Sequence, residues 1–550
     1  MTLSSTLRDA AFRWIADDPD PATKAELQQV VANAMGGVPG AVEDLADRMN
    51  GTLTFGTAGL RGPVRAGPNG MNRAVVVQTT AGVAEWLRHK GHASGTIIVG
   101  RDARHGSADF ATAAAEVLTA AGFTVLTMPG PLPTPITAFL VRALGAAAGI
   151  QITASHNPPA DNGYKVYTGV DEPAGSQIVP PDDRLIEAAI RDVPAARSVP
   201  LSAGALPVSD AQVDWYVTHV ASLARGTSRD LRVVLTPMHG VGGSTALAAL
   251  RRAGFADVTL VPSQAAPDPE FPTVDFPNPE EPGAADLLLS LASSSDADLA
   301  IALDPDADRC ALAARFPDGW RMLRGDETGA LLGAQVLSTL DRAAHPDPLA
   351  ASTIVSSSLL GLVALAHGAR HTETLTGFKW LVRAGSGLVF AYEEALGLCV
   401  DPSSVSDKDG ISAAVLACDL AASLKAAGRS LPDALDDLAV AHGVHLTEQV
   451  SLRFTDVSAI APLVAALRKS PPASLGGVEV TQDNPAPDII RLRADGLRVV
   501  IRPSGTEPKV KAYLEVVEPV ASPEALESAR TKATERMASL RTEVATLLEA

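Results

Sequence analysis

Cysteine is scarce in this 550-residue chain. There are three, Cys310, Cys399 and Cys418. Their spacing matches no zinc pattern, and an odd number makes a poor disulfide scaffold, so a reducing, cytoplasmic setting is expected. Long apolar runs are missing too. None approaches the ~18–20 residues a helix needs to cross a bilayer, and residues 143–152 stop well short. The first 20 residues mix Arg8, Arg13 and several Asp, without the apolar core of a signal peptide. Positive charge is in deficit, with 45 Lys and Arg against 63 Asp and Glu, a formal net charge of -18. Such a surface repels polyanions and argues against a nucleic-acid partner. A small phosphorylated ligand is still allowed, provided cations are concentrated locally. The chain also lacks the nucleotide P-loop, the dinucleotide fingerprint and the Gly-x-Ser-x-Gly elbow of hydrolases.

What is present suits a globular protein of about three to five domains. Hydrophobic residues make up 46% and charged residues 20%, enough to build real cores. One pattern recurs: an apolar run, an Ala/Leu-rich helical stretch ending in Gly, then a short β-branched run. The helical stretches are 110–121, 245–253 and 359–367, closed by Gly122, Gly254 and Gly368. Strand, helix, strand at this spacing is the βαβ unit of a parallel sheet. From residue 446 the pattern changes to alternating, antiparallel-looking runs such as 450–454 and 489–492. A last helix follows, with an apolar stripe from Leu526 through Ala529, Ala533, Met537, Leu540 and Val544 to Leu547. The predicted fold is α/β: three related α/β domains with mixed, largely parallel sheets, plus a C-terminal α+β domain. The domains are 1–205, 206–322, 323–445 and 446–550. Two large α/β domains would explain the three repeats less well. Residues 262–282, rich in Pro, Asp and Glu, read as an ordered insertion or a mobile loop.

Four clusters carry chemistry. Thr153-Ala154-Ser155-His156-Asn157-Pro158-Pro159 follows an apolar strand at 148–152. A serine held there on a Pro- and Gly-rich loop can project its hydroxyl into a cleft, with Lys165 bringing positive charge nearby. Asp304-Pro305-Asp306-Ala307-Asp308-Arg309 directly follows the run 299–303. Alternating carboxylates at a strand end converge and repel, and a hard divalent cation relieves that repulsion. A calcium hand would need Gly at position six and Glu at twelve, where Arg309 and Arg315 stand. Three carboxylates suit Mg²⁺ with room left for phosphate or water. Arg502-Pro503-Ser504-Gly505-Thr506-Glu507-Pro508, with Lys509 and Lys511 beside it, forms a compact anion nest. Glu393-Glu394-Ala395-Leu396-Gly397, preceded by Gly377-Phe378-Lys379-Trp380, offers carboxylates to sugar hydroxyls, although two glutamates at the start of a helix are commonplace. Together these supply a nucleophile, a metal, a phosphate clamp and a polyol binder.

In this order along nearly the whole chain, the clusters resemble the α-D-phosphohexomutase family, which includes phosphoglucomutases and phosphomannomutases. Gly56-Thr57-Ala58-Gly59-Leu60-Arg61-Gly62 looks like that family's N-terminal active-site loop. The resemblance implies four domains around a central active-site cleft, with Ser155 carrying a phosphoryl group. It implies Mg²⁺ held by Asp304, Asp306, Asp308 and the phosphoserine, and a sugar bisphosphate as intermediate and activator. Arg61, Lys165 and Arg309 would surround the transferring group, with His156 near it. Lys379 would serve charge stabilisation or proton transfer. Arg502, Ser504, Gly505 and Thr506 would grip the non-reacting phosphate, with Lys511 where many members have Arg. The expected substrate is a small phosphosugar, and the protein a monomer or homodimer bound to neither nucleic acid nor membrane.

Ala395 stands where many phosphoglucomutases carry Ser. The loops at 57–62, 377–380 and 393–397 look most like a subgroup that includes phosphopentomutases. Interconversion of glucose or mannose 1- and 6-phosphates is the expected activity, and a phosphopentomutase acting on ribose or deoxyribose phosphates is the alternative. A sugar phosphatase and an inactive sugar-phosphate binder are the remaining readings.

Overall fold

In the computed structural model, which describes residues 3–54, 59–454, 457–503 and 509–549, all three helix-ending glycines take a left-handed φ. The values are 94° at Gly122, 98° at Gly254 and 62° at Gly368. An L side chain is strained there, so glycine lets each helix stop and the chain reverse. The helices are Ser107–Ala120, Gly242–Arg252 and Leu359–Ala366. Each joins two parallel neighbours: Thr96–Arg101 to Thr124–Thr127, Val233–Thr236 to Val258–Leu260, and Leu349–Thr353 to Arg370–Thr374. The βαβ unit therefore occurs in all three expected places.

Packing divides the chain into two units, Met1–Leu323 with Gly397–Ser423, and Arg324–Leu396 with Leu424–Ala550. The first unit holds two mixed sheets. One runs in the order Leu60–Pro63, Asp161–Thr168, Ala148–Ile152, Thr96–Arg101, Thr124–Thr127, Leu206–Pro207, antiparallel at its first two joints and parallel beyond. The other runs Gly319–Met322, Cys310–Phe316, Leu299–Leu303, Val233–Thr236, Val258–Leu260. Every residue of Ala148–Ile152 and of Leu299–Leu303 is buried. Central strands covered on both faces read as unbroken apolar runs rather than alternating ones. Both end in a polar loop, at 153 and at 304, at the carboxyl edge where α/β sheets present their chemistry.

Ahead of these sheets, the helices Ser5–Asp17, Pro21–Met35 and Ala41–Arg48 enclose an apolar cluster of their own that includes Ala11, Leu27, Val31 and Leu45. Residues 262–282 form an ordered insertion. Beyond the short 3-10 turn Pro262–Gln264 they have no regular element, yet Phe271 is buried. Thr273 Oγ1 is bonded to His239 Nε2 at 2.8 Å and to Gln264 Nε2 at 2.9 Å. The segment Gly397–Ser423 joins this unit through polar ties to distant residues. Gln177 Nε2 donates to Asp407 Oδ2 at 2.8 Å, and Tyr216 donates to Asp409 Oδ1 at 2.8 Å.

The second unit contains the parallel strands Arg370–Thr374, Leu349–Thr353 and Leu388–Glu393. It also contains an antiparallel sheet in the order Val444–Arg453, Lys509–Glu518, Leu497–Pro503, Ile489–Ala494, Thr481–Ala486. The helix Leu526–Glu549 lays its stripe on this sheet. Its last fully buried residue is Leu548, and Leu547 packs partly buried against the same core. Glu393 and Glu394 sit at the end of a strand, not at the start of a helix: Glu393 closes Leu388–Glu393 and Glu394 begins the turn that follows. Among the described residues, no single helix is long and apolar enough to cross a membrane.

Candidate active site

The loop after Ile152 holds Ser155 in a left-handed conformation, φ 54°, with 1% of its surface exposed. Serine rarely adopts this backbone, which needs support from its surroundings. Every polar group of Ser155 is engaged. Its N–H donates to Thr153 Oγ1 at 2.9 Å, its hydroxyl donates to Asp304 Oδ2 at 2.9 Å, and His156 Nδ1 lies 3.2 Å from that hydroxyl. The turn after Leu303 supplies the acids. Asp304, Asp306 and Asp308 are fully buried, and one oxygen from each lies within 4.8 Å of the others. Ala307, at φ 57°, makes the bend that sets them side by side.

Lys165 reaches this turn from the neighbouring sheet. Its Nζ donates to Asp306 Oδ2 and to Asp308 Oδ2, both at 2.7 Å. So Lys165 puts its charge on the same acid turn whose Asp304 accepts from the serine hydroxyl. Thr134 Oγ1 donates to Asp306 Oδ2 at 2.5 Å, and Arg309 N–H to Asp304 Oδ1 at 3.0 Å. The Arg309 side chain lies 4.0 Å from Asp308 and 3.8 Å from Glu280. Arg61, on Leu60–Pro63, reaches Asn157 Oδ1 at 3.5 Å. Lys408 Nζ stands 3.4 Å from Asp308 Oδ2.

This crowding shifts the titrations. Burial, then the charges of Asp306 and Asp308, push Asp304 well above the usual carboxylate range. Burial opposes ionisation of Asp308 as well, but Lys165, Lys408 and Arg309 outweigh it and hold the group down. Burial, with Arg309 and Arg61 beside it, keeps the His156 ring well below its ordinary value. Burial works against the Lys165 ammonium, yet Asp306 and Asp308 raise it. A metal fits these residues: Asp306 Oδ1 and Asp308 Oδ1 are buried without a hydrogen-bond partner, and an uncompensated carboxylate oxygen is costly. The triad can hold a hard cation through oxygen ligands alone.

In the second unit, Lys379 lies buried on the short helix Phe378–Leu381, its Nζ 5.6 Å from the Trp380 ring centroid. Glu394 Oε2 accepts from Thr353 Oγ1 at 3.0 Å and from Ser356 Oγ at 2.9 Å. Burial, then Glu393 and Asp326, push its carboxyl up to about 7. Arg502, on Leu497–Pro503, is paired in register with Lys511 on Lys509–Glu518. Ser504, Gly505 and Thr506 lie outside the described residues, as do residues 55–58 of the N-terminal motif.

The first unit thus gathers Arg61, Ser155, His156, Lys165, Asp304, Asp306, Asp308 and Arg309. Lys408 and Thr134 escaped the sequence. Lys408 had one visible signal: it stands between Asp407 and Asp409, directly before the buried helix Gly410–Ala426.

A hydroxyl steered by a carboxylate and ringed by cations equips a protein to move phosphoryl groups. Four family descriptions match the chain in series: phosphoglucomutase/phosphomannomutase α/β/α domains I, II and III over residues 52–196, 214–316 and 324–441, and the C-terminal domain over 468–529. A probable phosphomannomutase of Haemophilus influenzae is 42% identical over 457 residues, spanning 81% of this chain and 93% of its own. A human phosphopentomutase is 34% identical over 573 residues, spanning 92% and 91%. The fold matches that of parafusin, a Paramecium phosphoglucomutase, with a TM-score of 0.70 at 18% identity, over 90% of this chain and 95% of that one. The chain belongs to the phosphoglucomutase/phosphomannomutase, or α-D-phosphohexomutase, family, and is an isomerase of the phosphotransferase type.

Proposed function

We propose that this phosphosugar mutase interconverts the 1- and 6-phosphates of glucose and mannose, with Ser155 as the phosphoryl carrier. The contact between Ser155 Oγ and Asp304 Oδ2, 2.9 Å long and buried among cations, carries the reading. In the forward half-reaction the bond from Ser155 Oγ to phosphorus breaks, a bond from the sugar hydroxyl oxygen to phosphorus forms, and the hydroxyl proton ends on Ser155 Oγ, giving a bisphosphate. The intermediate turns and returns its other phosphoryl group to Ser155. Arg61, Lys165 and Arg309 balance the charge of the moving group, while Asp304 and His156 orient the serine oxygen. Asp304, Asp306, Asp308 and the phosphoserine would hold Mg²⁺, which supplies charge neutralisation on the phosphoryl oxygens. Arg502 and Lys511, with Ser504, Gly505 and Thr506, would grip the phosphate that is not reacting. Glu393 and Glu394 would meet the sugar hydroxyls, and Lys379 would assist charge or proton balance. A sugar bisphosphate activates by restoring phosphoserine that has been lost to water. The three buried free thiols suit a reducing, cytoplasmic compartment.

Pentose phosphates are the rival substrates, supported by the loop at 393–397 and by a phosphopentomutase relative spanning 92% of the chain. kcat/KM for glucose, mannose, ribose and deoxyribose 1-phosphates, with Mg²⁺ and activating bisphosphate, separates the two. Pentose values more than tenfold above both hexoses would hand the assignment to the pentose reading. Intact mass of the purified protein tests the carrier itself: a subpopulation heavier by one phosphoryl group, discharged by monophosphate sugar, is expected. Steady release of inorganic phosphate instead would make the protein a phosphatase.

A further inference from the structure

One buried cation in the first unit has been given no part above in the transfer of the phosphoryl group. Arg104 is 4% exposed and sits on the loop after Thr96–Arg101. Its guanidinium faces the serine loop from behind. Nη2 donates to the carbonyls of Ser155 at 2.7 Å and Asn157 at 2.5 Å, and Nη1 to those of Pro158 at 2.7 Å and Asp161 at 3.1 Å. Four carbonyls of one loop converge on one planar fork, a match only a guanidinium offers.

Arg104 is itself held by two residues. Its backbone N–H donates to Asp102 Oδ1 at 3.0 Å, and Nε lies 3.4 Å from Asp102 Oδ2. The Phe271 ring of the 262–282 insertion covers it, with the guanidinium carbon 4.9 Å from the ring centroid. Asp102 also accepts from Ser107 Oγ at 2.6 Å, and Ser107 opens the helix Ser107–Ala120. The serine loop is thus bolted to a helix and to an insertion from a different sheet.

We infer that Arg104 is a positioning residue for phosphoryl transfer: by drawing the Ser155 carbonyl inward it holds the left-handed backbone at Ser155, and so aims Oγ at the acid turn. The inference rests on Ser155 being the phosphoryl carrier. The backbone oxygen of Ser155 is tied to Arg104, its N–H to Thr153 and its hydroxyl to Asp304. Removing the first tie lets the peptide plane rotate and swings Oγ away from its partners. Sugar and clamp contacts stay as they were, so the effect falls on the chemical step. The loop must hold this shape both with and without a charged phosphoryl group on Ser155, and a cation anchored behind the backbone restrains both states.

The test compares wild type with Arg104→Lys and Arg104→Ala. Lysine keeps the charge and much of the volume but cannot span four acceptors. Displacing a reacting atom by about 1 Å costs roughly 100-fold in rate. Arg104→Lys should therefore lose about 100-fold in kcat, with KM for the sugar 1-phosphate within threefold of wild type and thermal unfolding little changed. In Arg104→Ala, added guanidinium or ethylguanidinium at millimolar concentration should recover part of kcat, and an alkylammonium should not. Wild-type kcat in Arg104→Lys would overturn the inference. So would a loss confined to KM, or activity in both variants that follows the folded fraction alone without guanidinium recovery. Intact mass keeps the two readings apart. Wild type without any phosphorylated form refutes the carrier assignment; wild type with it, alongside an unimpaired Arg104→Lys, refutes only the role of Arg104.

Discussion

Arg502 and Lys511 stand directly opposite each other on adjacent antiparallel strands. Two cations placed side by side in this way can meet one anion together. Arg502→Ala should raise KM for the sugar monophosphate by roughly 10–100-fold, the value of about 1.5–3 kcal/mol carried by a charged hydrogen bond. Lys511→Ala should have a smaller effect, since an ammonium does not form the two-pronged contact. Steady-state kinetics at low and high salt measure both. An unchanged KM in Arg502→Ala would show that this strand end does not bind phosphate.

Ser155→Ala and Ser155→Gly should both lose mutase turnover by several orders of magnitude, because the oxygen that forms the phosphoenzyme is gone. Their stabilities should differ. Glycine accepts the φ of 54° freely, whereas alanine pays about 1 kcal/mol for it. Urea titration should place Ser155→Gly above Ser155→Ala. Turnover near wild type in either variant would remove Ser155 from the mechanism.

Thorough chelation with EDTA should abolish activity, and Mg²⁺ should restore it. Mg²⁺ should also raise the thermal midpoint of the wild type by mass action. Asp306→Asn should blunt both responses, because it removes a charge from the three-carboxylate turn. Full activity after chelation would refute the metal assignment.

Glu394 gives stability a pH dependence with a definite sign. Its carboxyl is raised from 4.5 to about 7 in the folded chain, chiefly by burial. The folded state therefore holds this proton more tightly. The contribution is fully present below about 4.5 and is lost as pH rises through about 7, with a slope of at most about 1.4 kcal/mol per pH unit. Glu394→Gln should flatten the stability profile between pH 5 and 7.5 and gain on wild type at pH 8. Denaturant titrations across that range would show it, and parallel profiles would contradict it.

Much of the fold could be read from sequence because its signals are local. Gly122, Gly254 and Gly368 mark helix ends by their own conformational needs, and the buried strands at 148–152 and 299–303 are short apolar runs in plain view. The same holds for Ser155 and the acid turn, where neighbours in sequence remain neighbours in space. Arg104 and Thr134 were not legible, and the charged triplet around Lys408 did not name its partner. Each acts on residues 51 to 172 positions away, and nothing within one turn of chain announces that. The return of 397–423 to the first unit was hidden for the same reason, since its ties run from Asp407 to Gln177 and from Asp409 to Tyr216. Glu394 was misplaced because two glutamates before Ala and Leu look like a helix start, while the apolar run 388–392 claims them as the end of a strand.

Lys165 joins Asp306 and Asp308 with an ammonium that the chain itself provides. Part of the repulsion within the acid turn is thus met by a tethered counter-charge that folds with the chain, and one oxygen each of Asp306 and Asp308 is left to an added cation.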